Sequence, residues 1–344
     1  MSLPDPIANL ERPTTGPLVD RFGRQHTYVR VSVTDRCNYR CTYCMPAEGL
    51  TWLHRRDILS YEEIVRIVRA FAGMGVHRIR LTGGEPTVRR DLEQLVAAIA
   101  AIPGIDDLSM TTNGHVFAKK AEAFAAAGLR RVNISIDTVD PARFAALTRG
   151  GDLSRVLASI EAARAHGLTP IKLNCVVVAG ENECDIEAML EHFAPHADDT
   201  VVRFIEYMPW DATGKRRRHL PAQVIRERLA KRWTLEPAST HAGGGPAVLW
   251  TVRETGQTIG FVSPMTEHFC HTCNRLRVQA DGHLRTCLSR DGTPSLRDLL
   301  RDGASDTALE QALRVMVWGK VAGHEAHLPG AFRAFEGAMT SVGG

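Results

Sequence analysis

From Tyr28 onward the chain alternates short β-branched runs with amphipathic stretches, and that alternation predicts a parallel βα architecture. The strand candidates are Val29 to Val33, Arg78 to Thr82, Leu108 to Thr112, Val132 to Asp137, Ile171 to Val178 and Val201 to Met208. Helices fall between them. Ser60 as N-cap with Glu63 three positions on makes a capping box ahead of Ile64, Val68 and Phe71 on one face. Others cover Leu92 to Ala101, Lys119 to Ala127, Leu153 to His166 and Ile186 to Phe193, with Gly128 and Gly167 as stop signals. Six such units with right-handed crossovers make a curling parallel sheet, and the pattern leaves open whether the barrel is full or partial.

Reactive groups of parallel sheets gather at the carboxyl ends of the strands. A cysteine-rich loop follows the first strand, Gly83-Gly84-Glu85-Pro86 the second, and Thr111 to Gly114 the third. Ser135 and Asp137 end the fourth, Lys172 and Asn174 lie on the fifth, and Glu206 to Met208 end the sixth. Nearly everything unusual lands on one face.

At 344 residues the chain can bury a large core, as one barrel with an extension or as two domains. A net charge of +3 is too mild to announce nucleic acid, and no stretch approaches the roughly 20 apolar residues of a membrane span, so a soluble protein is expected. Pro4, Pro6, Pro13 and Pro17 read as a loose arm over residues 1–20. Eight cysteines without an apolar leader fit a reducing, cytoplasmic compartment.

Cys37, Cys41 and Cys44 bring three thiolates into one short loop. Three ligands leave one coordination position open, which reads as a catalytic iron-sulfur cluster, with a structural zinc knuckle as the alternative. Cys270, Cys273 and Cys287 form a second trio, two on one loop and the third across an Asp281-Gly282 hairpin. There zinc competes evenly with iron-sulfur, since His271 or His283 would supply a fourth ligand. Gly83 and Gly84 would let backbone approach a ligand and accept positive φ, beside the carboxylate of Glu85.

The C-x3-C-x2-C spacing resembles the signature of radical S-adenosylmethionine (SAM) enzymes, and Gly83 to Pro86 resembles their GGEP motif, which binds the SAM amino group. With the second trio and the pair Arg275 and Arg277, the chain resembles the GTP 3′,8-cyclase family of molybdenum-cofactor biosynthesis from Arg30 to its last residues. The resemblance implies an α/β fold: a partial (β/α)6 TIM-like barrel over 21–235, then a C-terminal region over 236–344 with a second cluster. Six units rather than eight agree with that open barrel. It implies two 4Fe-4S clusters, on Cys37, Cys41 and Cys44 and on Cys270, Cys273 and Cys287. SAM contacts fall on Tyr43, Gly83, Gly84, Glu85, Ser135 and Met208. GTP contacts fall on Arg30, Arg80, Thr111, Lys172, Arg275 and Arg277, with Arg78 and Arg203 as secondary candidates. The tail Gly343-Gly344 would reach the active site and, with Arg275 and Arg277, take part in catalysis.

The implied reaction converts GTP to (8S)-3′,8-cyclo-7,8-dihydroguanosine 5′-triphosphate, a 5′-deoxyadenosyl radical abstracting the ribose 3′ hydrogen. The implied partners are a flavodoxin-like or similar electron donor and a downstream cyclic pyranopterin monophosphate synthase, with no nucleic acid and no membrane; a homodimer is left open. Independently of the resemblance, a nucleoside triphosphate carries about four negative charges and suits arginine forks, and the predicted strands carry Arg30, Arg78, Arg80, Lys172 and Arg203. No G-x4-G-K-[ST] loop is present. Ile136, where the family commonly has leucine, is a conservative departure. Lys215 to Arg218 reads as a solvated charge run, Cys175 as a buried thiol, Cys184 as unpartnered and Gly243 to Gly245 as loop. Two rivals remain: another radical SAM enzyme with an auxiliary cluster, and a zinc module binding RNA, which aromatics at 6% disfavour.

Overall fold

A computed structural model describes residue 7 and residues 11–209, 217–238, 245–289, 294–324 and 339–340. Six parallel strands form the centre of one sheet: β1 (Tyr28–Ser32), β2 (Arg78–Thr82), β3 (Asp107–Thr112), β4 (Arg131–Ser135), β5 (Ile171–Val177) and β6 (Thr200–Glu206). Helices α1 (Tyr61–Gly73), α2 (Leu92–Ala100), α3 (Ala121–Ala126), α4 (Pro141–Thr148), α5 (Leu153–Ala165) and α6 (Ile186–Phe193) lie between successive strands. Five of these were legible in the sequence. The unexpected one is α4, capped by Asp140, whose side chain accepts from the Arg143 amide at 2.6 Å.

The strand period of two divides the sheet into an apolar and a polar face. Val29, Val31, Ile79, Leu81, Leu108, Met110, Val132, Ile134, Leu173 and Phe204 are buried in the core with helix residues such as Ile64, Ile67, Val68 and Phe71 of α1. Each such side chain contributes about 1.5–3 kcal/mol of burial. Their neighbours Arg30, Arg80, Thr111, Asn133, Lys172 and Arg203 line a cavity on the other face. Ser60 and Glu63 exchange hydrogen bonds at 3.2 and 2.7 Å, completing the capping box.

The remaining chain extends the sheet in both directions. α7 (Ala222–Leu229) precedes β7 (Leu235–Pro237), β8 (Val248–Val252) and β9 (Thr258–Val262). β10 (Arg275–Val278) and β11 (Leu284–Arg285) lead to α8 (Leu296–Arg301) and α9 (Asp306–Trp318). β9 joins β6 in parallel and β10 joins β1 in parallel, giving the order β11-β10-β1-β2-β3-β4-β5-β6-β9-β8-β7. The sheet ends on β11 and β7, so among the described residues it is an open, partial barrel. The expected arm is anchored at its end: Leu18 and Asp20 are buried, and the Leu18 amide donates to the Met74 carbonyl at 3.0 Å. Arg217 differs from the solvated run expected of it, because it pairs with Glu181 at 2.5 Å. Lys215, Arg216, Gly243 and Gly244 lie outside the described residues.

Candidate active site

The loop after β1 is tied down by the end of α4. The Arg40 and Thr42 amides donate to the Thr148 and Leu147 carbonyls at the end of α4, and Arg149 Nη1 reaches the Arg40 and Met45 carbonyls at 2.9 Å each. Cys37, Cys41 and Cys44 are free thiols lining the cavity. Burial pushes Cys37 up to about 11, Cys44 up to about 12 and Cys41 well above its usual range. Burial disfavours these thiolates, and three soft donors on one loop suit a cluster, whose positive charge would favour them.

Gly83 and Gly84 are required for a reason other than positive φ, which neither adopts. The Gly84 amide donates to the Thr34 carbonyl and the Glu85 amide to the Arg36 carbonyl, both at 2.8 Å, so the second loop lies against the first. A Cβ on Gly83 would sit 2.5 Å from the Thr34 oxygen, and one on Gly84 2.4 Å from the Arg36 oxygen. Glu85 is 1% exposed and accepts from Thr87 N at 3.0 Å, Thr87 Oγ1 at 2.6 Å, Thr112 Oγ1 at 2.7 Å and Asn113 N at 2.6 Å. Burial raises its pKa against those donors. The carboxylate therefore locks the β2 loop to the end of β3.

Tyr43 hydroxyl donates to Asp137 Oδ2 at 2.6 Å, and Val176 N donates to Oδ1 at 2.9 Å. Burial lifts Asp137 to about 6. Ser135 lines the cavity from the end of β4, and Met208 lines it beyond β6, packed in a small cluster with Met265, Leu288 and Met339.

Across the cavity, Cys270 and Cys273 bracket a single 3-10 turn, and Cys287 follows β11. Asp281-Gly282 joins β10 to β11, with Gly282 at φ +89°. Burial raises Cys270, whereas for Cys273 the charges of Lys320 and Arg275 outweigh burial and bring the thiol down to about 6. His271 and His283 do not line the cavity; His283 instead lies 3.1 Å from Asp281.

Between the two trios runs a row of cations. Register places Arg277 opposite Arg30, Arg30 opposite Arg80, Arg80 opposite Ser109, and Ser109 opposite Arg131. Neighbouring strands are only about 4.8 Å apart. Ten Lys and Arg side chains and one carboxylate, Glu85, are among the residues lining this cavity of about 330 Å³. Burial, reinforced by neighbouring arginines, pushes Arg203 down to about 9 and Arg277 down to about 10. Burial and then Arg203, Arg131 and Arg80 bring Lys172 down to about 7. Internal partners answer only part of this charge: Arg80 Nε reaches Ser109 Oγ at 3.1 Å, Arg203 Nε reaches Asn174 Oδ1 at 2.9 Å, and Arg131 Nε reaches Asp107 Oδ1 at 2.9 Å. Arg277 Nε and Thr111 Oγ1 are buried without a hydrogen-bond partner among the described residues. Such a site is complementary to a polyanion.

Residues 31–193 match the radical SAM superfamily and residues 200–326 match Molybdenum Cofactor Synthesis C. Over 335 residues the chain is 47% identical to a GTP 3′,8-cyclase of Mycobacterium sp. (strain KMS), covering 96% of this chain and 95% of that one. A GTP 3′,8-cyclase of Caulobacter vibrioides is 43% identical, covering 96% and 95%. The chain belongs to the GTP 3′,8-cyclase family. A crystal structure of Streptococcus suis SuiB bound to S-adenosylmethionine superposes with a TM-score of 0.61 at 14% identity, covering 84% of this chain and 68% of that one, which speaks to fold alone.

As a member of that family the chain is a radical SAM enzyme of molybdenum-cofactor biosynthesis, using SAM and 4Fe-4S clusters. The cavity brings together every described residue that the sequence singled out for it. Gly343 and Gly344 lie outside the described residues. Arg24, Arg131, Asn133 and Lys320 also line the cavity and were missed. Asn133 was legible in principle, since it alternates with Val132 and Ile134 on a predicted strand, whereas Arg131 lies one residue before that strand's expected start. Arg24 and Lys320 carry no local signal, because only tertiary contacts bring them in.

Proposed function

We propose that the cavity seats SAM against the first cysteine loop and GTP along the arginine row, with its guanine end toward the second trio. Cys37, Cys41 and Cys44 hold one 4Fe-4S cluster, and Cys270, Cys273 and Cys287 hold the other. When bound, the first cluster and SAM would supply the radical chemistry that removes the ribose 3′ hydrogen of GTP. The protein's part is orientation and exclusion of water. Tyr43, Ser135, Met208 and the Gly83 to Glu85 loop shape the SAM side. Arg30, Arg80, Thr111, Lys172, Arg275 and Arg277, with Arg78 and Arg203, hold the nucleotide, and Arg275 and Arg277 with the Gly343-Gly344 tail complete the reacting end.

The observation that carries this reading is the placement of two cysteine trios and the cation row on one cavity. A barrel over 21–235 and a C-terminal region over 236–344 is our organisational reading, with β8 to β11, α8 and α9 all in the second part and β7 (Leu235–Pro237) across the boundary. A reducing cytoplasm suits eight free thiols. We also infer a flavodoxin-like or similar electron donor and transfer of product to a cyclic pyranopterin monophosphate synthase. Anaerobically reconstituted protein given SAM, GTP and a strong reductant should form deoxyadenosine and a cyclised nucleotide. Deoxyadenosine formation indifferent to GTP would end the cyclase reading.

A further inference from the structure

We propose that Lys320 is the positioning residue of the second cysteine trio, holding its two arms at fixed separation and donating to one of its sulfurs. This rests on the reading that Cys270, Cys273 and Cys287 carry a cluster. Lys320 is 2% exposed. Its Nζ lies 2.8 Å from the Arg275 carbonyl, 2.6 Å from the Thr286 carbonyl and 3.7 Å from Cys273 Sγ. An ammonium has three donors, and here three acceptors receive them. Arg275 stands two residues after Cys273, and Thr286 immediately precedes Cys287, so a single group spans both sides of the hairpin.

Lys320 is itself held in place. It follows α9, whose Leu309, Leu313 and Val317 are buried in the core, and its amide donates to the Val317 carbonyl at 2.9 Å. Arg24 fixes the next two residues, reaching the Val321 and Ala322 carbonyls at 2.7 Å each and the Cys270 carbonyl at 2.8 Å. Asp20 orients Arg24 through Nε at 2.7 Å. All three cysteine positions are thus braced by two buried cations that come from the two ends of the chain.

No described carboxylate pairs with Lys320, so its counter-charge is the sulfur set it faces. A cation donating to a cluster sulfur favours the reduced, more negative state, and its removal makes the cluster harder to reduce. The test is an anaerobic redox titration of the reconstituted full chain followed by electron paramagnetic resonance. Lys320→Met should leave the SAM-responsive cluster unchanged, and should either move the second cluster to a more negative potential or lose it. Lys320→Arg should restore the potential toward the original. Lys320→Gln, which keeps a donor without the charge, gives the same comparison should the methionine variant not fold. Two clusters with unaltered potentials in the methionine or glutamine variant overturn the proposal. An unsubstituted chain that takes up iron for one cluster alone instead overturns the cluster reading of this trio and the proposal with it.

Discussion

Arg30 and Arg80 face each other across β1 and β2 at the same height of the sheet, and Arg277 continues the row on the far side of Arg30. Packing like charges side by side in a buried wall is unfavourable, and an anion bound along the row offsets that cost. In the proposed function the triphosphate of the nucleotide is that anion.

Arg277 gives a direct check, because its Nε is buried without a hydrogen-bond partner among the described residues. Arg277→Met should leave the melting temperature of the nucleotide-free protein level or raised. The KM for GTP should rise about 10- to 100-fold, corresponding to a charge-assisted hydrogen bond of roughly 1.5–3 kcal/mol. A lower melting temperature with an unchanged KM would identify the arginine as a structural strut.

In the proposed site Lys172 should make nucleotide binding depend on pH. Its folded pKa of about 7 lies below the ordinary 10.5, so the unfolded chain binds more protons between those values, and this group adds stability as pH rises through that window. A bound triphosphate favours the ammonium and raises the pKa again. Above about pH 7, GTP binding should therefore take up a proton and weaken with rising pH, by at most about tenfold per unit. Calorimetry at pH 8 in two buffers of different ionisation enthalpy should show the uptake in the parent protein and none in Lys172→Met.

Much of the site was legible because chemistry and periodicity coincide. On β2, Arg78, Arg80 and Thr82 alternate with Ile79 and Leu81, so the period that predicts the strand also sorts cavity from core. β9 and β10 were not legible as strands extending the barrel, since each is short and acquires its role by pairing with β6 or β1 far away in sequence. For Gly83 and Gly84 the expected positive φ is absent. The constraint is the Thr34 to Arg36 backbone pressed against them, a contact that no local pattern encodes.

That contact sets the cost of adding a methyl group. Gly84→Ala places Cβ 2.4 Å from the Arg36 oxygen and 2.5 Å from the Asp35 oxygen, both backbone atoms, so the two loops must part. A loss of about 1–3 kcal/mol is expected, with weakened SAM binding. Gly104→Ala, at φ +89° with nothing within 4 Å, should cost about 1–2 kcal/mol from backbone strain and leave SAM binding intact. Denaturant melts and SAM titrations of both variants separate the two effects.

Metal content addresses the two trios separately. Parent protein reconstituted without oxygen should hold about eight irons, and Cys41→Ala or Cys287→Ala about four each. The SAM-responsive resonance should vanish in the first variant and persist in the second. Zinc at either trio would overturn the assignment there.

The central claim, that the radical chemistry of one trio acts on a nucleotide held by the arginine row, is tested most directly by isotope transfer. With GTP deuterated at the ribose 3′ carbon, the account predicts one deuterium in the deoxyadenosine formed. Deoxyadenosine that arises in the presence of this GTP yet carries no label would contradict it.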